Sequence, residues 1–416
     1  MLHRKGIGTF FSLALCQVAL TAQGVWTQVA SSGPSPRAGH AMVYDGQRSE
    51  VILFGGTDGT TKFGDTWAWD GTSWTQQSTS GPSGRTEHAM AYDSGRHVTV
   101  LFGGDTTSGL AGDTWEWNGS VWIPYLFTPG PSARAEHAMA FDEQRGVSVL
   151  FGGDSNSTLL GDTWEWDGAS WLHVSSSGPS GRRGHAMAYA STQTGVVLAG
   201  GEHDVSQSGA YWTAGSPFCQ LQPWSLTYVE QIAEAWTWDG AAWAAVSQQG
   251  ALRRTDLGLV FDVMGERLLL VGGLDERAVF HPQNPGTNAW PACAQSPGSA
   301  GYVSTNPQTL GTNGSWDQGS TWRALASGPA LSSLATAFDS ARSQVVAFGG
   351  HISNGALSGN TFQWTGAPGI ATTYGTGCGS PPLDLSPNTN QPPTIHTTGQ
   401  VLLTNTPSAL TFLLIG

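Results

Sequence analysis

The sequence contains little charge, and most of that charge is negative. Only 11% of the 416 residues are charged, with 17 Lys and Arg against 30 Asp and Glu, so the formal net charge is −13. No basic stripe is present for a phosphate backbone, which argues against a nucleic-acid partner. A low total charge with many Ser, Thr, Gly and Trp residues is typical of an extracellular β protein.

Long apolar runs and cysteines are also scarce. Residues 1–22 combine a basic start, an apolar stretch and small residues near Ala22, which predicts a secretory signal peptide and a location outside the cell or in its envelope. No other run is long enough for a transmembrane helix. Beyond residue 22 the cysteines are Cys219, Cys293 and Cys378, and an exported protein can oxidise one pair of them.

Helical periodicity is absent, and a Gly-Gly doublet returns six times instead, each time at the end of an apolar run. The doublets start at Gly55, Gly103, Gly152, Gly200, Gly272 and Gly349. The gaps between them are 48, 49, 48, 72 and 77 residues. A period near 50 indicates one supersecondary unit copied in series.

Each copy holds four short runs with the composition of strands. In the second copy, residues 89–92 and 98–102 are rich in β-branched and aromatic residues. Trp115 and Trp117 are two apart, so on a strand both rings lie on one face. Asn118-Gly119 then suits a hairpin turn. Four antiparallel strands per unit describe one blade of a β-propeller.

The doublet, a Trp about a dozen residues later and a second Trp seven residues after that resemble the kelch repeat, over roughly residues 24–366. The sixth copy stops at Gly366, before its last Trp strand, and Trp26-Thr-Gln-Val29 resembles Trp74-Thr-Gln-Gln77. We therefore predict an all-β fold, a six-bladed kelch-type β-propeller over residues 23–366. Its N-terminal strand closes the last blade and protects the edges of the array.

Residues 367–416 differ in composition from the repeats. They are rich in turn residues and end in two strand-like runs, 400–403 and 409–416. Two strands cannot make an independent core. We expect a short C-terminal β tail, which resembles the start of a truncated β-module.

Two long insertions interrupt the repeat at 202–234 and 274–313, where the first three copies have about eight residues. Both fall between the second and third strands of adjacent blades. Each carries one cysteine, so we predict a Cys219–Cys293 disulfide, with two separate thiols as the alternative. Their aromatic residues suit ligand stacking, for which we select Trp212 and Trp290. The alternative is that these rings form a small core for the insertions.

A repeated arginine precedes the first strand of five copies, at Arg37, Arg85, Arg134, Arg182 and Arg254. Acids follow two residues later at Glu87, Glu136 and Asp256. Loops of antiparallel blades alternate between rims, so this loop shares a rim with the insertions. The kelch resemblance implies an innermost first strand and, as in some kelch adaptors, arginines that bind acidic peptides by bidentate pairing. The alternative is a blade-to-blade brace satisfied by neighbouring acids.

Other repeated polar residues have simpler interpretations. We predict a structural hydrogen bond within each blade for the histidines that start the first strand, and a turn-capping role for the Asp that ends it. Acids and histidines after the doublets lack the spacing of a metal site, so we expect no metal. The copper enzymes among kelch proteins need a Cys crosslinked to Tyr, and no Cys lies in the repeat strands, so we expect no cofactor.

Three functions fit these features. The first is an exported module that binds a glycan or an extracellular protein on the rim with the insertions. The second is an envelope enzyme of the sugar mutarotase or epimerase type. It would act on an acidic sugar, with Glu87 or Glu136 as proton carrier and arginines that bind the carboxylate. The third is a scaffold that its tail directs to the cell surface.

Overall fold

Antiparallel strands supply nearly all of the regular structure. The structure is a computed structural model that describes residues 24–125, 129–156, 158–191, 195–213, 220–246, 253–263, 266–282, 301–309, 314–316, 322–324, 328–365, 400–406 and 409–415. Residues 24–366 form one compact unit. The predicted signal peptide at 1–22 lies outside the described residues.

The strands follow the repeat of the sequence. The chain begins with β1 (Val25–Ala30), followed by β2 (Ala41–Asp45), β3 (Glu50–Phe54), β4 (Thr66–Trp69) and β5 (Trp74–Ser78). The second copy contains β6 (Arg85–Thr86), β7 (Ala89–Asp93), β8 (Val98–Phe102), β9 (Asp105–Thr106), β10 (Gly109–Leu110), β11 (Thr114–Trp117) and β12 (Trp122–Tyr125). The third contains β13 (Ala138–Asp142), β14 (Val147–Phe151), β15 (Thr163–Trp166) and β16 (Trp171–Ser175).

The later copies include the insertions. The fourth contains β17 (Ala186–Ala190), β18 (Gly195–Ala199), β19 (Glu202–Thr213), β20 (Gln220–Gln231), β21 (Ala235–Trp238) and β22 (Trp243–Val246). The fifth contains β23 (Gly258–Asp262), β24 (Arg267–Val271), β25 (Leu274–Pro282), β26 (Gly301–Thr309), β27 (Gly314–Trp316) and β28 (Trp322–Ala324). The last strands are β29 (Ala335–Asp339), β30 (Gln344–Phe348), β31 (Thr361–Thr365), β32 (Gln400–Thr406) and β33 (Ala409–Ile415).

The described residues contain six four-stranded sheets, numbered blades 1 to 6 after their first strands β2, β7, β13, β17, β23 and β29. Each first strand contacts the first strands of its two neighbours, and β29 contacts β2, so the sheets form a closed ring. The fourth strand of blade 6 is β1, which pairs with β31 and places Trp26 opposite Trp364. The predicted β-propeller, closed by its N-terminal strand, is confirmed.

The core lies between neighbouring blades because alternate residues of a strand face opposite sides. Met42 packs with Phe348 of blade 6, whereas the next residue, Val43, packs with Trp117 of blade 2. Tryptophan indoles also donate across the interfaces. Trp122 Nε1 donates to Thr66 Oγ1 of blade 1 at 2.9 Å, and the tryptophans of three more blades repeat this bond.

The second glycine of each doublet joins its blade to the next one. The N–H of Gly56 donates to the carbonyl oxygen of Arg85 at 2.8 Å, and both glycines of the doublet have positive φ. The same bond occurs six times at 2.8–2.9 Å, in the pairs Gly56–Arg85, Gly104–Arg134, Gly153–Arg182, Gly201–Arg254, Gly273–Leu331 and Gly350–Arg37. The repeated doublet is therefore a joint between blades.

The two insertions contain β-hairpins, β19–β20 and β25–β26. Strand β20 contacts β25, and Gln231 Nε2 donates to the Leu274 carbonyl oxygen at 3.0 Å, so the hairpins meet near their bases. Cys219 and Cys293 lie outside the described residues, and their disulfide stays a prediction. In the tail, β32 pairs with β33 as a separate two-stranded sheet.

Candidate functional site

The five repeated arginines are buried and paired inside their own blades. Arg37 is 1% exposed, and its guanidinium donates to both carboxylate oxygens of Asp65, at 2.6 and 3.0 Å, and to the Gly55 carbonyl oxygen. Burial opposes ionisation of Asp65, but the hydrogen bonds and charge of Arg37 outweigh it, so the pKa of Asp65 is lowered. The related pairs are Arg85–Asp113, Arg134–Asp162 and Arg182–Glu234, while Arg254 donates to the Gly272 carbonyl oxygen.

These contacts change the interpretation of the arginines. Each guanidinium ties the loop before the first strand to the loop after the second strand of the same blade, so the brace lies within a blade rather than between blades. The main-chain carbonyl of the same residue makes the bond to the neighbouring blade. Because their donors are occupied, we remove Arg37, Arg85, Arg134, Arg182 and Arg254 from the candidate site.

Six residues surround the propeller axis, one from each blade. Each lies two positions after a repeated arginine or, in the sixth copy, after Leu331. These six residues have φ between 51° and 64°, and each donates its N–H to the carbonyl oxygen of its counterpart in a neighbouring blade, at 2.8–3.1 Å. The bonds close a circle. We call this circle the axial ring, and its members are Gly39, Glu87, Glu136, Gly184, Asp256 and Ser333.

The axial ring forms the mouth of a small cavity, the axial pocket, of about 90 Å³. Its further lining comes from the residues that follow the ring members, which are His40, His88, His137, His185, Leu257 and Leu334. The predicted candidates Glu87 and Glu136 meet here with Asp256. The pocket therefore combines three carboxylates with four imidazoles.

Burial and nearby carboxylates raise the pKa of both glutamates of the axial ring. Burial raises the pKa of Glu87 to about 8, with further contributions from Asp256, Glu136 and Asp105. Burial and Asp256 raise the pKa of Glu136 to about 7, although the charge of Arg183 opposes the change. Ser333 Oγ donates to Asp256 Oδ2 at 3.2 Å. A bound cation would relieve this accumulation of negative charge.

Arg183 is the residue at this mouth that the sequence interpretation missed. Its Nε lies 2.9 Å from Glu202 Oε1 and 3.7 Å from Glu136 Oε2, and its Nη1 lies 3.3 Å from Asp154 Oδ2. Arg183 therefore joins the axial ring to the base of β19. The available signal was a departure from the repeat, since the other copies carry Ala38, Thr86, Ala135, Thr255 and Ser332 at this position.

The four repeated histidines contact neighbouring blades, so the predicted hydrogen bond within each blade is wrong. His185 Nε2 lies 3.1 Å from the carbonyl oxygen of Phe151 in blade 3. All four imidazoles pack edge-on against such phenylalanines, with ring centroids 5.5–5.6 Å apart. Burial and the neighbouring arginines lower the pKa of His40 and His185 to about 3, so both rings are neutral at pH 7.

The opposite rim carries the repeated turns after the first strand. Asp45 Oδ1 accepts the backbone N–H groups of Gln47 and Arg48 at 3.0 and 3.1 Å, which confirms the predicted cap. The Tyr92 hydroxyl accepts the Gln47 N–H at 3.1 Å. A cavity of about 530 Å³ at this end is lined mainly by apolar residues of the first strands, with Glu143 among the polar ones.

Other predicted features fall outside the side chains that the structure describes. Trp212 lies in β19, but only its backbone is described, and Trp290 lies outside the described residues.

Over the described ranges, no group of three or more His, Cys, Asp or Glu residues is arranged to hold a metal ion. The described part of the chain also contains no helix long and apolar enough to cross a bilayer.

Comparison with known families agrees with this architecture. Residues 15–201 match the family model of the KLHDC2/KLHL20/DRC7 Kelch-repeats domain. Residues 15–201 therefore belong to a kelch-repeat domain, and the six four-stranded sheets are consistent with a kelch β-propeller. The match supports a protein-interaction role for this kelch propeller. No curated protein matches the chain.

Proposed function

We propose that this kelch propeller is an exported module that binds its partner, a glycan or an extracellular protein, on the rim with the insertions. The supporting observation is the position of the two hairpins. They extend from the adjacent blades 4 and 5, contact each other, and start beside the axial ring. Binding residues are commonly found on such irregular loops, which a rigid scaffold holds in position.

Charge favours a protein over a neutral glycan. On this rim the acids outnumber the cations. Glu87 and Glu136 are only partly ionised at neutral pH, and Lys62 and Arg183 face Asp105 and Asp154, but Asp256, Glu202 and Asp204 add further carboxylates. A negative field attracts a basic protein surface and accelerates its association, but it gives no advantage to an uncharged sugar. The favoured partner is therefore an extracellular protein with a basic contact surface, and Trp212 and Trp290 stay candidates for its stacking contacts.

The enzyme acting on an acidic sugar has weaker support. Glu87 and Glu136 have pKa values near neutrality, which suits a proton carrier. An anionic substrate also needs cations, however, and the five arginines proposed for that role are buried in ion pairs or hydrogen bonds. Arg183 is already surrounded by acids. The same carboxylates would repel the substrate.

A trimmed variant tests this proposal. In it, residues 202–233 are replaced by 105–112, the short connection of blade 2, so that Glu234 still pairs with Arg182. We expect the full chain to bind members of an extracellular-protein and glycan array, and the trimmed chain to lose those members. Equal melting temperatures of the two chains would show that the propeller remains folded.

Photocrosslinking locates the contact independently. A photoreactive residue at Asp204 reports the rim with the insertions, and one at Glu143 reports the opposite rim as a matched control. Capture of the same array partner from Asp204 alone supports the proposal. Capture from Glu143 alone, or full binding by the trimmed chain, would contradict it.

A further inference from the structure

The cavity of about 530 Å³ at the rim opposite the insertions, here called the rim cavity, has a wall that repeats with the blades. Each blade contributes the second, third and fourth residues of its first strand and the residue that follows the strand. Neighbouring residues of a strand face opposite sides, so three consecutive lining residues place the backbone edge of the strand along the cavity. Each first strand is the edge of its sheet, which leaves that edge facing the cavity.

The side chains of the wall form two apolar layers. The second positions form the inner layer and include four of the six methionines of the chain: Met42, Met90, Met139, Met187, Leu259 and Thr336. The fourth positions form an outer aromatic layer: Tyr44, Tyr92, Phe141, Tyr189, Phe261 and Phe338. All of these aromatic residues except Phe141 are only partly buried, so they retain accessible apolar surface beside the cavity.

Two tyrosine hydroxyls show how the aromatic layer is held in position. The Tyr44 hydroxyl accepts the N–H of Ala341 in blade 6 at 3.2 Å, and the Tyr92 hydroxyl accepts the N–H of Gln47 in blade 1 at 3.1 Å. Each hydroxyl is therefore bound to the turn of a neighbouring blade, and its ring is held in the wall. A preorganised wall lowers the entropic cost of binding a ligand.

The charges around the rim cavity are largely paired with one another. The turns at this rim contain five ion pairs with N–O distances of 2.6–3.2 Å: Asp45–Arg48, Asp93–Arg96, Asp142–Arg145, Asp262–Arg267 and Asp339–Arg342. Among the described residues that line the cavity, Glu143 alone is charged, and it is exposed at the mouth. An ion inside the cavity would lose its hydration without gaining an opposite charge, which is costly. The charge distribution therefore favours an uncharged occupant.

The chemistry of the wall selects the class of this occupant. Aromatic rings pack favourably against other aromatic rings and against methionine sulfur. The strand edges, with Ser94, Ser191 and Ser340 at the mouth, supply donors and acceptors for a polar group of the ligand. A mostly apolar wall with a few polar groups, around a volume of about 300–1,000 Å³, is typical of small-molecule sites.

We propose that the rim cavity binds a small uncharged aromatic molecule that carries a hydroxyl or a similar hydrogen-bonding group. The aromatic and methionine layers contact its rings, and the strand edges or the serines of the mouth bind its polar group. This site lies on the rim opposite the insertions, so it does not depend on the proposed function.

Fluorescence titration of the full chain with N-phenyl-1-naphthylamine tests the site. This probe is an uncharged aromatic molecule whose emission rises in apolar surroundings, and we expect its binding to saturate. 2-Naphthol should displace it. 2-Naphthoate has the same rings with a carboxylate and should be weaker by about tenfold or more, because its charge would lose hydration. Decahydro-2-naphthol keeps the hydroxyl but is not aromatic, so it should also displace the probe more weakly.

Two glycine variants locate the binding. A Cβ on Gly46 would lie 3.9 Å from ring carbons of Tyr44 and Tyr92, so a side chain there has room at the mouth of the cavity. Gly95, in the corresponding turn of blade 2, is not among the lining residues, and a Cβ there would lie 3.4 Å from Asp93 Oδ1. Neither glycine has a positive φ. Gly46→Trp should weaken probe binding by about tenfold or more, because the indole fills the mouth, whereas Gly95→Trp should leave it unchanged.

Thermal unfolding provides a second readout. The probe should raise the melting temperatures of the wild type and Gly95→Trp more than that of Gly46→Trp, because a ligand stabilises the state that it binds. Equal melting temperatures without the probe would exclude unfolding as the cause. Binding that does not saturate, equal affinity in both Trp variants, or an analogue that displaces the probe as well as 2-naphthol does would overturn the site. None of these results changes which partner is captured from Asp204, so the proposed function is tested separately.

Discussion

The second position of each doublet requires glycine for two reasons, the positive φ of its backbone and the absence of a side chain. Its N–H reaches the carbonyl of the next blade only with positive φ, and neighbouring atoms occupy the space of a Cβ. The acids of the axial ring also adopt positive φ, at 55–56°, although they are not glycines. Such strain persists where surrounding contacts fix the backbone, and it often marks functional positions.

Two glycines allow the energetic cost of a positive φ to be distinguished from the cost of a steric clash. Gly104 and Gly109 have φ of 100° and 105°, but a Cβ on Gly104 would lie 2.7 Å from the His88 Cβ, and one on Gly109 would meet nothing within 4 Å. Both Ala variants incur the positive-φ cost. We expect Gly104→Ala to lower the free energy of unfolding by about 1–3 kcal/mol more than Gly109→Ala. Urea denaturation measures both, and equal losses would show that the contact is unimportant.

Strand β1 is the element that completes blade 6 from the other end of the chain. Its pairing with β31 covers an edge that would otherwise be open, and Trp26 packs against two apolar clusters that join blade 6 to blade 5 and include Val345 and Val271. Closure therefore combines a hydrogen-bonded ladder with apolar burial. It ties the beginning of the propeller to its last blade and removes an exposed edge.

Adjacent residues of β1 test how much the burial contributes. Trp26 is partly buried, while Val25 on the other face is 62% exposed. Trp26→Ala should lower the free energy of unfolding by roughly 1–3 kcal/mol, because it removes apolar contacts to the clusters between blades 5 and 6. Val25→Ala should change it by less than about 0.5 kcal/mol. If chemical denaturation gives the same small change for both, β1 closes the ring through its backbone alone.

The closed ring was predictable from the sequence, but the environment of the site was not. The blades and their closure could be predicted from the repeat period, the Gly-Gly doublets and the match between Trp26 and Trp74, because these signals are local and repeat along the chain. The burial of Arg134 against Asp162 depends on two loops that meet only after folding. The position of Arg183 depends on Glu136, Asp154 and Glu202, which come from different parts of the chain and meet only after folding. Repetition indicated position in the propeller, but it did not distinguish an internal brace from a ligand contact.

The axial ring forms only when all six blades close, so its titration reports the state of the whole propeller. Burial raises the pKa of Glu87 to about 8 in the folded protein, against an ordinary value of 4.5, and Asp256 and Glu136 from other blades add to the rise. Between these values the folded protein holds a proton that the unfolded chain has lost. The free energy of unfolding therefore falls as the pH rises from about 4.5 to 8.

Glu87→Gln removes this titration and provides the test of ring closure in solution. The variant should gain at least about 1 kcal/mol in free energy of unfolding relative to wild type between pH 5 and pH 9, a figure that allows for solvent at the mouth. Glu143→Gln removes one carboxylate from the opposite rim and is the matched control for the substitution itself. Denaturant titrations at the two pH values measure these differences. An offset for Glu87→Gln that does not change with pH would mean that the acids do not meet on the axis, because only their proximity and burial raise the pKa of Glu87.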